Sequence, residues 1–135
     1  MITRQIARDA DALPEVMLLS NAFFETTPAG PGVRFAVELA LEEIFTNVVR
    51  HNARGQGPIG IALERRDGEV IVTITDPDAP RFDPVADGPD TDVDLPLDQR
   101  LPGGLGIHLV RKFMDRIEYS HHSRTGTIRL HKRTD

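Results

Sequence analysis

The sequence predicts an α/β fold of the α+β kind: a two-layer sandwich with a mixed, mostly antiparallel sheet and helices on one face. Two observations carry this. Residues 59–74 and 117–132 alternate apolar with polar or small residues on either side of a tight turn, the pattern of β-hairpins. Three other stretches repeat apolar residues at three- and four-residue spacing, the pattern of helices buried along one side. The resulting order is β-α-α-β-β-lid-α-β-β. Consecutive hairpins require antiparallel pairing, and helices with a single apolar stripe must bury it against one face of the sheet.

Each element has its own signal. Residues 2–6 read as a short first strand. Asp9 or Asp11 can cap the helix that follows, with Pro14 in its first turn, and Leu13, Val16, Met17, Phe23 and Phe24 supply its apolar side. The Pro- and Gly-rich cluster at 27–32 ends it. A second helix is expected over 33–52, with Val37, Leu41, Ile44 and Val48 facing the core and Glu43 and Asn47 on a different strip shared with Ala36 and Ala40. Ile59, Ile61 and Leu63 mark one strand, Val70, Val72 and Ile74 its return, and Arg66-Asp-Gly-Glu69 the turn between them. Residues 77–102 hold six of the ten prolines and seven of the 21 acidic residues, which predicts a long irregular loop or lid. Ile107, Val110, Phe113, Met114 and Ile117 define a third helix beginning at Leu105, before a final hairpin around Ser123-Arg-Thr-Gly126.

Composition narrows the class. The 135 residues fit a single domain, and apolar runs are too short for a transmembrane helix or signal peptide, which makes the cytoplasm the expected location. Without cysteine there are no disulfides, thiolate metal sites or Cys nucleophiles. A net charge of −5, no Trp and one Tyr argue against a nucleic-acid surface. The five histidines match no common zinc spacing.

The chemistry-bearing residues fall in three segments. Glu43 and Asn47 stand one helical turn apart; a carboxamide oxygen can ligate Mg²⁺ and a carboxylate can take a proton. Such a pair is also what a solvated helix face shows, and it gains meaning only from its partners. His51 lies one turn further on. Asp76, at a strand end beside the lid, can accept a hydrogen bond from an exocyclic amine, or can simply start a turn before Pro77. Gly103-Gly-Leu-Gly106, opening a helix, lets backbone N–H groups and the helix dipole approach an anion, and equally suits a hinge. It is neither a Walker A loop nor a dinucleotide fingerprint.

Together these segments resemble the GHKL (histidine-kinase-like) ATPase superfamily, and within it the small bacterial anti-sigma-factor serine kinases of the RsbW and SpoIIAB type. The resemblance covers nearly the whole chain. It rests on Glu42-Glu-Ile-Phe-Thr-Asn-Val-Val-Arg-His51, on 76–84, and on Leu101-Pro-Gly-Gly-Leu-Gly-Ile-His-Leu-Val-Arg-Lys-Phe-Met-Asp115. It implies a Bergerat-type sandwich that binds ATP and Mg²⁺. Glu43 would be the general base, Asn47 the Mg²⁺ ligand and Asp76 the acceptor for the adenine amine. Gly104 and Gly106 would lie against the phosphates, and Thr127 would reach the base edge through water. His51, Asp78, Phe82, Gly103, Leu105 and Ile107 complete the expected ATP-binding set. The implied reaction is phosphorylation of a serine on an anti-anti-sigma (STAS) partner, with sequestration of a sigma factor and a homodimeric kinase.

One position departs from the pattern. The loop usually reads Asp-x-Gly, whereas here it reads Asp76-Pro-Asp78, placing a second carboxylate near polyphosphate, with Arg81 as a candidate to offset it. That departure motivates an alternative, a catalytically weak or inactive GHKL module that regulates a partner by binding it. A detached histidine-kinase catalytic domain is a third reading, disfavoured by the glycine motif.

Overall fold

The computed structural model describes residues 1–86 and 104–134. Five strands form one sheet in the order β1-β2-β3-β5-β4, with every neighbouring pair antiparallel. They are β1 (Ile2–Ile6), β2 (Ile59–Arg66), β3 (Glu69–Asp76), β4 (Arg116–His122) and β5 (Thr125–Arg133), joined by helices α1 (Leu13–Thr26), α2 (Pro31–His51) and α3 (Gly104–Phe113). The two-layer α+β expectation therefore holds, and the sheet is antiparallel throughout.

Strand alternation sorts the two faces. Ile61, Ile74, Ile128 and Tyr119 align across the sheet, as do Leu63, Val72, Leu130 and Ile117. These rows meet α1 and α2 in a continuous core. Thr73, Thr75, Thr127 and Arg129 point the other way and are more accessible. Phe45, in the middle of α2, is fully buried. Phe45→Ala is expected to destabilise the fold by about 3–5 kcal/mol, because the cavity it leaves adds to the lost transfer energy. Urea unfolding checks this, and a change under 1 kcal/mol (about the cost of an ordinary substitution) contradicts it.

Several boundaries differ from expectation for identifiable reasons. Asp9 is the cap, but of a short 3₁₀ turn at Ala10–Ala12: its side chain accepts from the Asp11 amide at 2.9 Å, while α1 starts at Leu13 with Ala12 as its N-cap and no side-chain cap. α2 begins at Pro31, two residues earlier than the breaker reading placed it, since proline is well suited to the first helical turn. α3 ends at Phe113, so Ile117 belongs to β4, opposite Leu130, and not to the helix. The β2–β3 turn has Asp67 and Gly68 at positive φ (54° and 77°), as a two-residue hairpin requires. The β4–β5 turn does the same with Ser123 and Arg124 (49° and 65°), without glycine. Of the expected lid, residues 77–86 are turns and irregular chain, and 87–102 lie outside the described residues.

Candidate active site

α2 places Glu43, Asn47 and His51 on one strip, one turn apart. Ala36 and Ala40 on the same strip are buried. Asn47 is only 2% exposed, so it is no part of a solvated face. Its Oδ1 accepts from the Arg50 guanidinium one turn on, and its Nδ2 has no hydrogen-bond partner. Glu43 is half-buried against the first turn of α3. A Cβ built on Gly106 would meet the Glu43 carboxylate at 2.0–2.4 Å, so glycine is what lets the two helices bring this acid so close. Burial pushes the Glu43 carboxyl above its usual 4.5; the neighbouring Glu42 raises it further, and Arg50 pulls it partly back.

At the far end of β3, Asp76 is 7% exposed. Its Oδ2 accepts from Asn52 Nδ2 at 3.1 Å. Its Oδ1 lies 2.7 Å from Arg8 Nη2 yet has no aligned hydrogen bond. Both statements hold: the charges attract across that distance, but no N–H is directed at the oxygen, which keeps its accepting capacity. Among the described residues, Asn47 Nδ2 and Asp76 Oδ1 are the buried side-chain atoms left without a hydrogen-bond partner. One is a donor and one an acceptor. Burying the Asn47 donor without a partner costs about 1–3 kcal/mol, a cost recovered when a polar ligand accepts from it; Asp76 Oδ1 keeps the Arg8 ion pair and a free direction in which to accept.

Beside Asp76 lies a small apolar cavity of about 20 Å³, room for one water, walled by Val48, Ile74, Asp76, Ala79 and Ile128. His51 and Phe82 also line it, their rings stacked at 3.4 Å with an interplanar angle of 9°. The Phe82 amide donates to the Tyr119 hydroxyl at 2.9 Å. The loop after Asp76 is pinned further by His121 to the Ala79 carbonyl (2.9 Å) and by the Ala79 amide to the Arg124 carbonyl (2.8 Å). A purine is far larger than this cavity, so one enters only if side chains that line it rearrange.

The structure sets His51, Asp76 and Phe82 around this cavity and Glu43 against Gly106, with Asn47 between Glu43 and His51 on the α2 strip, and leaves three expected contacts elsewhere. Asp78 faces away from the cavity. Its carboxylate accepts from the Gln56 amide (2.8 Å) and from Arg124 Nε and Nη2 (3.1 and 3.0 Å), which hold it below the usual carboxylate range. Its offsetting cation is thus Arg124 and not Arg81, which stacks over Tyr119 instead. Thr127 is on the other face of the sheet, because strand alternation turns Gly126 and Ile128 toward the cavity and Thr127 away. Ile107 is 2% exposed and belongs to the core. Gly104 and Leu105 open α3, and Gly103 lies outside the described residues.

Sequence reasoning missed Arg8, Arg50, Asn52 and Tyr119. Asn52 had a usable signal, a polar residue closing a helix next to the strip that carries Asn47. Arg8 had none, since only the folded sheet brings it to Asp76.

A helix strip carrying an acid and an amide, a strand-end carboxylate and a glycine-opened helix on an antiparallel sandwich define a nucleotide-binding ATPase fold. Residues 6–132 match the histidine kinase-like ATPase domain, and the chain belongs to that family. The family implies ATP as the nucleotide. Comparison with curated proteins returns no significant match. The fold is similar to the RsbU and RsbW domains of Rv1364c from Mycobacterium tuberculosis, with a TM-score of 0.67 at 14% identity over 98% of this chain and 32% of that one. This chain therefore spans about a third of that protein. The fold is also similar to a chain of the SiaB-SiaC complex from Pseudomonas aeruginosa, with a TM-score of 0.65 at 16% identity over 97% of this chain and 88% of that one.

Proposed function

We propose that this protein is a regulatory serine kinase of the anti-sigma-factor type, which binds Mg-ATP and phosphorylates a serine of an anti-anti-sigma (STAS) partner. In the cytoplasm, as a homodimer built from one such domain per chain, it would sequester a sigma factor until the unphosphorylated partner displaces it. The observation that carries this is two buried polar atoms without a hydrogen-bond partner, Asn47 Nδ2 and Asp76 Oδ1, with Glu43 one helical turn before Asn47. A neighbour in fold solved as a two-protein complex supports the partner-binding side.

Each residue has a separable task. Asp76 Oδ1 accepts from the adenine amine. Asn47 offers an amide to the phosphate–metal end, its oxygen being suited to Mg²⁺ once Arg50 releases it. The backbone N–H groups of the first turn of α3 face phosphate charge with the helix dipole behind them. Glu43 takes the hydroxyl proton of the acceptor serine, and its raised pKa makes it a better base than an exposed glutamate. Bound Mg-ATP supplies the phosphoryl group and a divalent charge that offsets phosphate repulsion.

Calorimetry with ATP and Mg²⁺ tests the binding half. Wild-type protein is expected to bind, and Asn47→Ala to lose about tenfold or more in affinity, the worth of a hydrogen bond to a charged group. Unchanged affinity in Asn47→Ala contradicts the site. A second reading, a binding module with vestigial nucleotide chemistry, is favoured by the small size of the cavity that the stacked His51 and Phe82 help to line and by the Arg50 contact on Asn47. It wins if the protein binds its client while ATP gives no heat and no labelled phosphate reaches the STAS protein.

A further inference from the structure

Asp76 is held in place by a residue outside every nucleotide motif of the chain. Arg8 follows β1 and reaches across to the loop between α2 and β2. Its guanidinium donates to three backbone carbonyls there: Nε to Gly57 (3.2 Å), Nη1 to Asn52 (3.2 Å) and Nη2 to Gln56 (3.3 Å). Nη2 also forms the 2.7 Å ion pair with Asp76 Oδ1, and the two side chains are only 6% and 9% exposed. Gly55 makes this convergence possible. A Cβ there would lie 2.8 Å from Arg8 Cζ and 2.6 Å from Asn52 Nδ2, so any larger residue would push apart the two groups that grip Asp76.

We infer that Arg8 is a positioning residue for base recognition. Its planar fork, fixed by three carbonyls, sets where the Asp76 carboxylate sits while leaving Oδ1 without an aligned donor and able to accept from a nucleobase amine. A buried carboxylate without this cation would turn toward another donor or draw in water, and the directed acceptor would be lost. Arg8 need not touch the nucleotide; it acts through Asp76. The inference rests on the reading of Asp76 as the acceptor for the adenine amine.

The test compares, by calorimetry, ATP with purine riboside triphosphate, which lacks the 6-amino group. Wild-type protein is expected to prefer ATP by about tenfold, the worth of one hydrogen bond to a charged acceptor. Arg8→Gln is expected to abolish that preference, by weakening ATP and leaving the analogue nearly unchanged. A merely structural role would weaken both nucleotides in parallel and keep their ratio, and that result overturns the inference. Thermal melts accompany each variant. Should Arg8→Gln not fold, Arg8→Lys carries the test: it keeps the charge, loses the fork, and is expected to reduce the preference. Asp76→Asn separates the two claims. If wild type discriminates and Asp76→Asn does not, while the Arg8 variants discriminate fully, the Arg8 inference alone fails. If wild type shows no preference, the base-site reading fails and the inference falls with it.

Discussion

Glu43→Gln is expected to reduce phosphate transfer to the partner serine by about 10²–10⁴-fold, the usual worth of a positioned general base, while ATP affinity stays close to wild type. The substitution keeps the shape of the side chain and the Gly106 contact and removes only the ability to take a proton. The same variant has a stability signature that does not depend on activity. Burial raises the Glu43 pKa in the folded state above 4.5, so the native protein holds this proton more tightly than the unfolded chain does. The ionised form at neutral pH is therefore a cost, absent below pH 4.5 and growing as pH rises through the folded-state pKa. Glu43→Gln should melt higher than wild type at pH 7, with the difference closing as the pH is lowered toward 4.5. Equal melting temperatures at pH 7 would show that the burial is not felt; retained transfer would remove Glu43 from the chemistry.

The same cause sets the pH–rate profile. With Glu43 as the proposed base, the acid limb of kcat should lie above the pH at which an exposed glutamate titrates. Among the described residues, Arg50 is the cation that pulls that pKa down. Arg50→Ala, measured at saturating ATP because Arg50 also touches Asn47, should move the limb to still higher pH. A limb that stays put or moves down contradicts the assignment.

How far the sequence reached follows the range of the interactions. The helices, both hairpins and the strip of Glu43, Asn47 and His51 are local patterns, fixed by periods of 3.6 and 2.0 and by turn residues a few positions apart. What it could not show was long-range. Whether Asn47 faces water or the interior depends on what distant parts of the chain pack against that face of α2. Arg8 reaches Asp76, and Arg124 reaches Asp78, only because the sheet brings the end of β1 and the β4–β5 turn to one edge of the site. Thr127 failed for a subtler reason. Its strand was correctly read, but a one-residue choice on a strand decides the face, and Gly126 occupies the cavity side. Asp78 looked like a charge aimed at polyphosphate because its cation, Arg124, is a hairpin residue with no sequence proximity to the loop. With that pair formed, the departure from Asp-x-Gly ceases to argue against nucleotide binding. The obstacle instead is the small size of the cavity that the stacked His51 and Phe82 help to line, which no spacing rule contains.

Gly106→Ala is the sharpest test of whether the observed geometry is the working one. The new methyl carbon would lie 2.0 Å from the Glu43 carboxyl carbon and 2.1 and 2.4 Å from its oxygens, separations that no real Cβ tolerates. The obstacle is the far end of a flexible side chain and not backbone, so Glu43 can swing away at little cost. Alanine also suits a helix better than glycine by about 1 kcal/mol. The expected outcome is a protein at least as stable as wild type whose kcat falls by about 10²-fold or more, since a displaced base loses the alignment on which its contribution depends. A large loss of stability would mean that Glu43 is locked where it stands and that α3 must yield instead. An undiminished kcat in a well-folded variant would mean that the carboxylate moves before the chemistry and that its contact with Gly106 belongs to a resting state. The combination expected here, stability kept and rate lost, has one physical source: a glycine whose missing side chain is the space the Glu43 carboxylate, the proposed base, occupies.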